Sequence, residues 1–142
     1  MIIWVLKENY SHRIIGIFTE AGKKAKEEEL FNEALRRREQ RIQRLTEEVA
    51  EQRAIRGPFI TEAADLLEVE KAAKEATDTA TLITVKKQRK VALKQADLLT
   101  SSIQRKEDEI LRYQRMMRSE IYSEFNTKDY DWEDYYLEGT EY

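Results

Sequence analysis

Residues that interrupt helices are almost absent from this chain. Its 142 residues include only four glycines and one proline, and charged side chains make up 37% of the total. An average soluble domain has about 25% charged residues. Long helices spend little backbone on turns and cover their solvent faces with charge. We therefore expect residues 1–142 to form a single helix-dominated domain.

The first long helical pattern covers residues 19–56. Arg38 and Gln52 lie at two of its positions where a heptad repeat would place apolar residues. Such an interrupted seam favours an antiparallel hairpin or a small bundle over a long parallel zipper. The apolar residues that follow the three- and four-residue steps of the repeat are Phe31, Leu35, Ile42, Leu45 and Val49.

A second helical pattern runs over residues 59–125. Gly57 suits a helix C-terminus and Pro58 lacks the N–H that a helix interior needs, so we predict that the first helix ends before this pair. The Thr-rich stretch 77–84 and the segment 100–102 are weak helix formers. The second pattern either breaks at one of them or continues beyond the end of the first helix, which would suit a dimer that exchanges its C-terminal segment. These patterns predict either a long antiparallel helical hairpin or a three-helix, coiled-coil-like bundle.

Both chain ends have the character of β-strands. Residues 1–18 contain two short runs rich in Ile, Val, Trp and Phe around a polar loop, which predicts a β-hairpin. Residues 128–142 alternate aromatic and acidic side chains, and they contain too many aromatics for a disordered tail. In a strand, Tyr130 and Trp132 share one face while Glu133 lies on the other. We predict a small antiparallel sheet built from the two chain ends, and hence an α+β fold.

The residue types needed for most catalytic chemistry are missing. The chain has no cysteine and a single histidine, His12, in the predicted hairpin loop. Triads, thiolate nucleophiles and His- or Cys-rich metal sites are thereby excluded, and no glycine-rich phosphate loop is present. No apolar run is long enough to span a bilayer. We expect a cytoplasmic protein that is not an enzyme and has no cofactor, metal or membrane partner.

The acidic C-terminal segment is the first candidate binding surface. Residues 128–142 hold six acids and one lysine, although the whole chain has a net charge of only -3. Aromatic side chains supply contact area at protein interfaces, and acids steer a basic partner towards them. The candidate partner-binding residues are Tyr130, Trp132, Glu133, Asp134, Tyr135 and Tyr136.

Arginine clusters on the helices form a second candidate site. The guanidinium group binds phosphate oxygens in pairs, so such clusters suit a nucleotide or a nucleic acid. Neighbouring glutamates support the competing interpretation of ordinary charged helix faces. The candidate phosphate-binding residues are Arg37, Arg41, Arg112 and Arg115.

Three stretches at the chain ends carry a resemblance: "IIWVLKENY", "RIIGIFTEAGKKAKEE" and "WEDYYLEGTEY". They resemble the ends of small bacteriophage-encoded proteins of unknown function, which begin with a β-hairpin and finish with an acidic, tyrosine-rich strand. The resemblance implies a phage or prophage origin, the cytoplasm of a bacterial host, and a sheet formed by both ends. It transfers no catalytic residue, and it does not extend to the helical middle.

These observations lead to one main functional hypothesis and two alternatives. The main hypothesis is a non-catalytic interaction factor that binds a host protein and modulates or inhibits it. The alternatives are an anti-defence protein that sequesters a nucleotide or oligonucleotide with its arginines, and a virion structural or assembly scaffold protein. Apolar residues on both faces of the predicted sheet favour a homo-oligomer, most simply a dimer.

Overall fold

The computed structural model describes residues 1–126 and 130–136 and has an α+β fold dominated by helices, as predicted. Two strands come first, three helices follow, and a third strand lies near the C-terminus. The elements are β1 (Ile2–Glu8), β2 (Ile14–Phe18), α1 (Glu20–Glu75), α2 (Thr79–Gln114), α3 (Arg118–Phe125) and β3 (Tyr130–Tyr136).

The three strands form one antiparallel sheet in the order β2-β1-β3. The predicted sheet of the two chain ends is therefore confirmed over residues 130–136 of the predicted strand 128–142, and the remainder of that strand lies outside the described residues. Leu6 in the central strand lies opposite Gly16 on one side and Trp132 on the other, and it is fully buried. The pairing of β1 with β2 shifts register after Leu6, whereas the pairing of β1 with β3 is continuous.

Helix α1 continues through Gly57 and Pro58, so the predicted helix end at this pair is wrong. Gly57 has no Cβ, which removes one of the two clashes that a proline ring usually makes with the preceding residue in a helix. A proline inside a helix still costs about 3 kcal/mol through its missing hydrogen bond. Val49 and Ala63, on either side of the pair, are both buried. Packing on both sides thus outweighs the local signal to stop.

The chain reverses at residues 76–78, between α1 and α2. Thr77 has a φ of 57°, in the left-handed region, and this ends the first helix. Asp78 then caps α2, because its carboxylate accepts hydrogen bonds from the Thr81 N–H at 3.2 Å and the Thr81 hydroxyl at 2.6 Å. The break lies at the start of the predicted stretch 77–84. The other predicted break, 100–102, is helical, and α2 ends at Gln114 instead.

The contacts of the chain group into two compact units. One unit comprises residues 42–114, in which α1 and α2 pack side by side as an antiparallel helical hairpin. The other comprises residues 1–41 and 115–142, and it contains the sheet, the first turns of α1 and α3. The buried apolar residues of the hairpin unit are Leu45, Val49, Ala63, Ala73, Val85, Ala92, Ala96, Ile103 and Tyr113.

Polar residues on the hairpin seam meet polar partners on the facing helix. The Gln52 amide donates to the Ser102 hydroxyl at 3.0 Å. An ion pair of 2.9 Å joins Arg89 to Glu70, whose side chain is only 14% exposed. Because a half-buried polar group is costly unless it is paired, each such pair favours one register of the two helices over its alternatives.

Candidate partner-binding groove

Aromatic side chains of the sheet pack against the first turn of α1. The Trp132 ring meets the Phe18 ring edge-on, with centroids 5.5 Å apart and planes at 72°. The Lys23 ammonium lies 3.6 Å from the centroid of the Trp4 ring and 5.7 Å from that of Trp132. The Trp4 indole N–H donates to Glu20 at 2.5 Å. These contacts fix β3 and its tryptophan relative to α1.

An open groove of about 680 Å³ lies on this same side of β3, within the sheet-containing unit. The described sheet residues that line the groove all belong to β3, so the groove lies along the β3 side of the sheet and away from β1 and β2. Its other residues come from α1 and from the start of α3. The described lining consists of Glu27, Glu28, Phe31, Met117, Arg118, Ser119, Tyr122, Tyr130 and Trp132.

The groove has an apolar floor and a charged rim. The Arg118 guanidinium lies 3.8 Å from the centroid of the Phe31 ring and forms an ion pair with Glu28. Met117 is 67% exposed and contributes apolar surface to the groove lining. An aromatic floor beside an exposed methionine suits an apolar side chain from a partner, since methionine adapts its shape to what it contacts.

Met117 also lies at the N-terminal end of α3. It is the N-cap residue of α3, and its side chain makes no capping hydrogen bond. Ser, Thr, Asp or Asn would stabilise the helix at such a position. The N-cap position of α3 is therefore occupied by an exposed apolar side chain that does not stabilise the helix end.

The six predicted partner-binding residues are divided between the two faces of β3. Tyr130 and Trp132 are half-buried and line the groove. Asp134 and Tyr136 follow them on the same face, and Tyr136 is 57% exposed. Glu133 and Tyr135 lie on the opposite face. The predicted set therefore forms two surfaces, of which only one adjoins the groove.

The second face of β3 is organised around Glu133. Its carboxylate accepts a hydrogen bond from the Lys7 ammonium at 2.8 Å and another from the Tyr135 hydroxyl at 2.7 Å. The hydrogen bond from Lys7 is the main reason that the pKa of Glu133 lies below its ordinary value. The same bond is the main reason that the pKa of Lys7 is raised. The charge of Glu133 is thus partly neutralised within the sheet.

The four predicted phosphate-binding arginines fall into different units. Arg37, Arg41 and Arg115 belong to the sheet-containing unit, and Arg112 belongs to the hairpin unit. The Arg37 guanidinium donates to the carbonyl oxygen of Phe125, the last residue of α3, at 3.1 Å. A cation at a helix C-terminus stabilises the helix dipole. The contact described for Arg37 therefore supports the fold, and phosphate binding stays a prediction.

Seven of the nine described groove residues lie outside the predicted set, and the apolar and aromatic ones among them are Phe31, Met117 and Tyr122. The spacing predicts Phe31 as a heptad-seam residue, whereas the structure places it in the groove lining, in the part of α1 that belongs to the sheet-containing unit. The sequence predicts that Met117 and Tyr122 lie within one long helix, because residues 115–117 contain neither glycine nor proline. The helix end at Gln114 has no local sequence signal.

Comparison with protein-family models, curated proteins and solved structures gives no match to this chain. Within residues 1–126 and 130–136, no helix has the length and apolar character needed to cross a bilayer. The same residues contain no group of three or more His, Cys, Asp or Glu side chains placed to hold a metal ion.

Proposed function

We propose that this protein is a non-catalytic interaction factor that binds a host protein and alters its activity by occupying a functional surface. The observation that carries the proposal is the groove, whose aromatic floor and exposed methionine are open to solvent beside an edge strand. Aromatic residues and methionine are enriched at protein interfaces relative to the rest of a protein surface.

The charge of β3 supports a basic partner. Asp131, Glu133 and Asp134 lie within seven residues of strand and are all exposed. Complementary charge speeds the encounter of two proteins and orients them, while the apolar groove supplies affinity once water is excluded. A basic surface with a protruding apolar side chain is the kind of partner that fits this description.

The proposal is tested by affinity capture with a variant that spares the fold. Met117→Asp removes an exposed apolar side chain from the groove lining and supplies the missing N-cap of α3, so we expect its stability to match or exceed that of the unchanged protein. The tagged protein should retain one bacterial protein in stoichiometric amount from a host lysate. Met117→Asp should reduce that amount roughly tenfold, which corresponds to about 1.4 kcal/mol of binding free energy.

The matched control places the same charge on the other unit. Leu98 is 58% exposed on α2, so Leu98→Asp tests whether any apolar-to-acidic change on the surface weakens capture. We expect full retention of the partner by this variant. Equal capture by the unchanged protein and by Met117→Asp would show that the groove is not the binding surface.

A further inference from the structure

We infer that the partner binds as an added β-strand along the free edge of β3, with alternate side chains apolar and basic. This inference rests on the proposed function and names the form and chemistry of the bound segment. The apolar side chains would enter the groove, and the basic ones would lie on the opposite face beside Asp131.

The first support is the free edge itself. In the order β2-β1-β3, one side of β3 pairs with β1 and the other side is unpaired within the described chain. The pairing with β1 runs without a register shift from Ile2 opposite Tyr136 to Glu8 opposite Tyr130. Every second residue of this seven-residue strand therefore presents its N–H and C=O groups outward in an even row, which is the template that strand addition uses.

The opposite edge of the sheet is less suitable. β2 has five residues, and its pairing with β1 shifts register between Leu6 and Lys7. Such an irregularity twists an edge strand and discourages further pairing. Because of this register shift in the pairing of β2, only the edge of β3 is regular enough to receive another strand.

The second support is the position of the groove. Tyr130 and Trp132 project from β3 into it, and Phe31, Met117 and Tyr122 form the rest of its apolar lining. In an antiparallel or parallel pair, directly opposite residues project to the same face. A strand added beside Tyr130 and Trp132 would therefore direct every second side chain to the groove side of the sheet.

The third support is the charge on the other face. Asp131 and Glu133 project there, and Glu133 already accepts hydrogen bonds from Lys7 and Tyr135. Asp131 is exposed at the end of β3 that adjoins the groove residue Tyr130. Lysine or arginine between the apolar residues of the partner would lie next to this carboxylate. The same acids, with Asp134, oppose pairing of β3 with a second copy of itself.

A titration followed by nuclear magnetic resonance tests the inference. The probe is a short synthetic peptide of alternating lysine and valine, added to the ¹⁵N-labelled full-length protein. We expect a Kd on the order of 100 μM or tighter. Shift changes should concentrate in residues 130–136 and in the groove lining. A peptide of alternating glutamate and valine serves as the charge control, and it should bind at least tenfold more weakly.

Backbone methylation separates strand addition from side-chain binding. Two versions of the lysine–valine peptide carry N-methyl groups on alternate residues, one on the set of amides that would face β3 and the other on the set that faces solvent. The first should lose binding by roughly tenfold or more, whereas the second should keep it. Asp131→Asn should weaken the unmodified peptide and Asp97→Asn, on α2, should not.

Several outcomes would overturn the inference. Equal effects of the two methylated sets would rule out pairing with the edge, and equal binding of the glutamate peptide would rule out the basic partner. Absence of any binding at roughly 1 mM lysine–valine peptide would also overturn the inference. If these tests fail while capture of a host protein still depends on Met117, the interaction function stands and only strand addition is rejected.

Discussion

Gly16 lies opposite Leu6 in the sheet and directly beside the ring of Phe18. A Cβ at this position would lie 2.8 Å from two carbons of that ring. Real Cβ atoms do not approach so closely, so any side chain here must displace the ring. The ring in turn meets Trp132, which lines the groove. Gly16 in β2 therefore influences the position of Trp132 in β3, through the ring of Phe18.

Gly16→Ala should destabilise the sheet unit by about 1–3 kcal/mol, the usual cost of overpacking. The shift of Phe18 should also alter the tryptophan fluorescence, because it loosens the contact with Trp132. Chemical denaturation of single and double variants checks this. In a Phe18→Leu background the added methyl has more room, so Gly16→Ala should cost clearly less there. The same cost in both backgrounds would show that the Phe18 ring is not the obstacle.

The pair of Lys7 and Glu133 has a defined pH range. The pKa of Glu133 is lowered from 4.5, so its contribution to stability is present above that value and is lost as the pH falls through the lowered pKa. The pKa of Lys7 is raised from 10.5, so its contribution is present below that value and is lost as the pH rises through the raised pKa. The pair therefore acts across the whole neutral range.

Lys7→Met should raise the pKa of Glu133 towards its ordinary value, because it removes the main cause of the shift. The hydroxyl of Tyr135 should retain part of the lowering, and Tyr135→Phe in addition should remove it. Carboxyl ¹³C shifts followed against pH give both values. Both side chains are partly exposed, at 23% and 47%, so the global stability at neutral pH should change little. A Glu133 pKa that does not move would contradict the hydrogen-bonded pairing.

The helix α1 shows how packing overrides a local signal. Pro58 is exposed and lies in mid-helix, where its ring and missing N–H are unfavourable. The apolar seam keeps its heptad spacing across Pro58, from Val49 on one side to Phe59 and Ala63 on the other. Burial of those residues against α2 is distributed over many contacts, whereas the proline removes one hydrogen bond. The helix therefore continues.

Pro58→Ala should stabilise the hairpin unit by about 1–3 kcal/mol, because it restores the backbone hydrogen bond to Ala54 and leaves no cavity at an exposed position. For a chain of this length, that corresponds to an increase in Tm of several degrees. Thr61→Ala, one turn further along the same helix, is the matched control and should gain only a few tenths of a kcal/mol. Equal changes in the two variants would mean that the proline is not strained.

The extent to which the fold was predictable follows from the range over which each signal acts. Alternation over 130–136 predicted a strand with Tyr130 and Trp132 on one face, because a period of two residues is a local property. The groove joins α1, α3 and β3, and the side chains of Phe31 and Met117 meet only after the chain has folded. No local sequence pattern predicts that residues so far apart in the chain will line the same groove. The sequence therefore indicates two of the nine residues that line the described groove, Tyr130 and Trp132, and tertiary structure supplies the rest.

The chain ends depend on the hairpin that lies between them. Residues 1–41 and 115–142 form one compact unit although residues 42–114 separate them. The hairpin reverses the direction of the chain and packs α1 against α2 along a seam of heptad spacing, with polar pairs such as Gln52 with Ser102 setting the register. The length of the hairpin should matter less than the phase of its heptad seam, since only this phase decides which residues of α1 face α2.

Paired deletions test this dependence. Removing residues 66–72 from α1 and 86–92 from α2 takes seven residues from each helix and keeps the seam nearly in phase, within about 20°. Removing 66–70 and 88–92 takes only five from each, but turns the seam by about 140°. We expect the longer deletion to keep cooperative unfolding and to bind the lysine–valine peptide as the full chain does. The shorter deletion should lower the Tm more and weaken peptide binding. The reverse order would mean that the total buried surface, and not the phase of the seam, holds the two chain ends together.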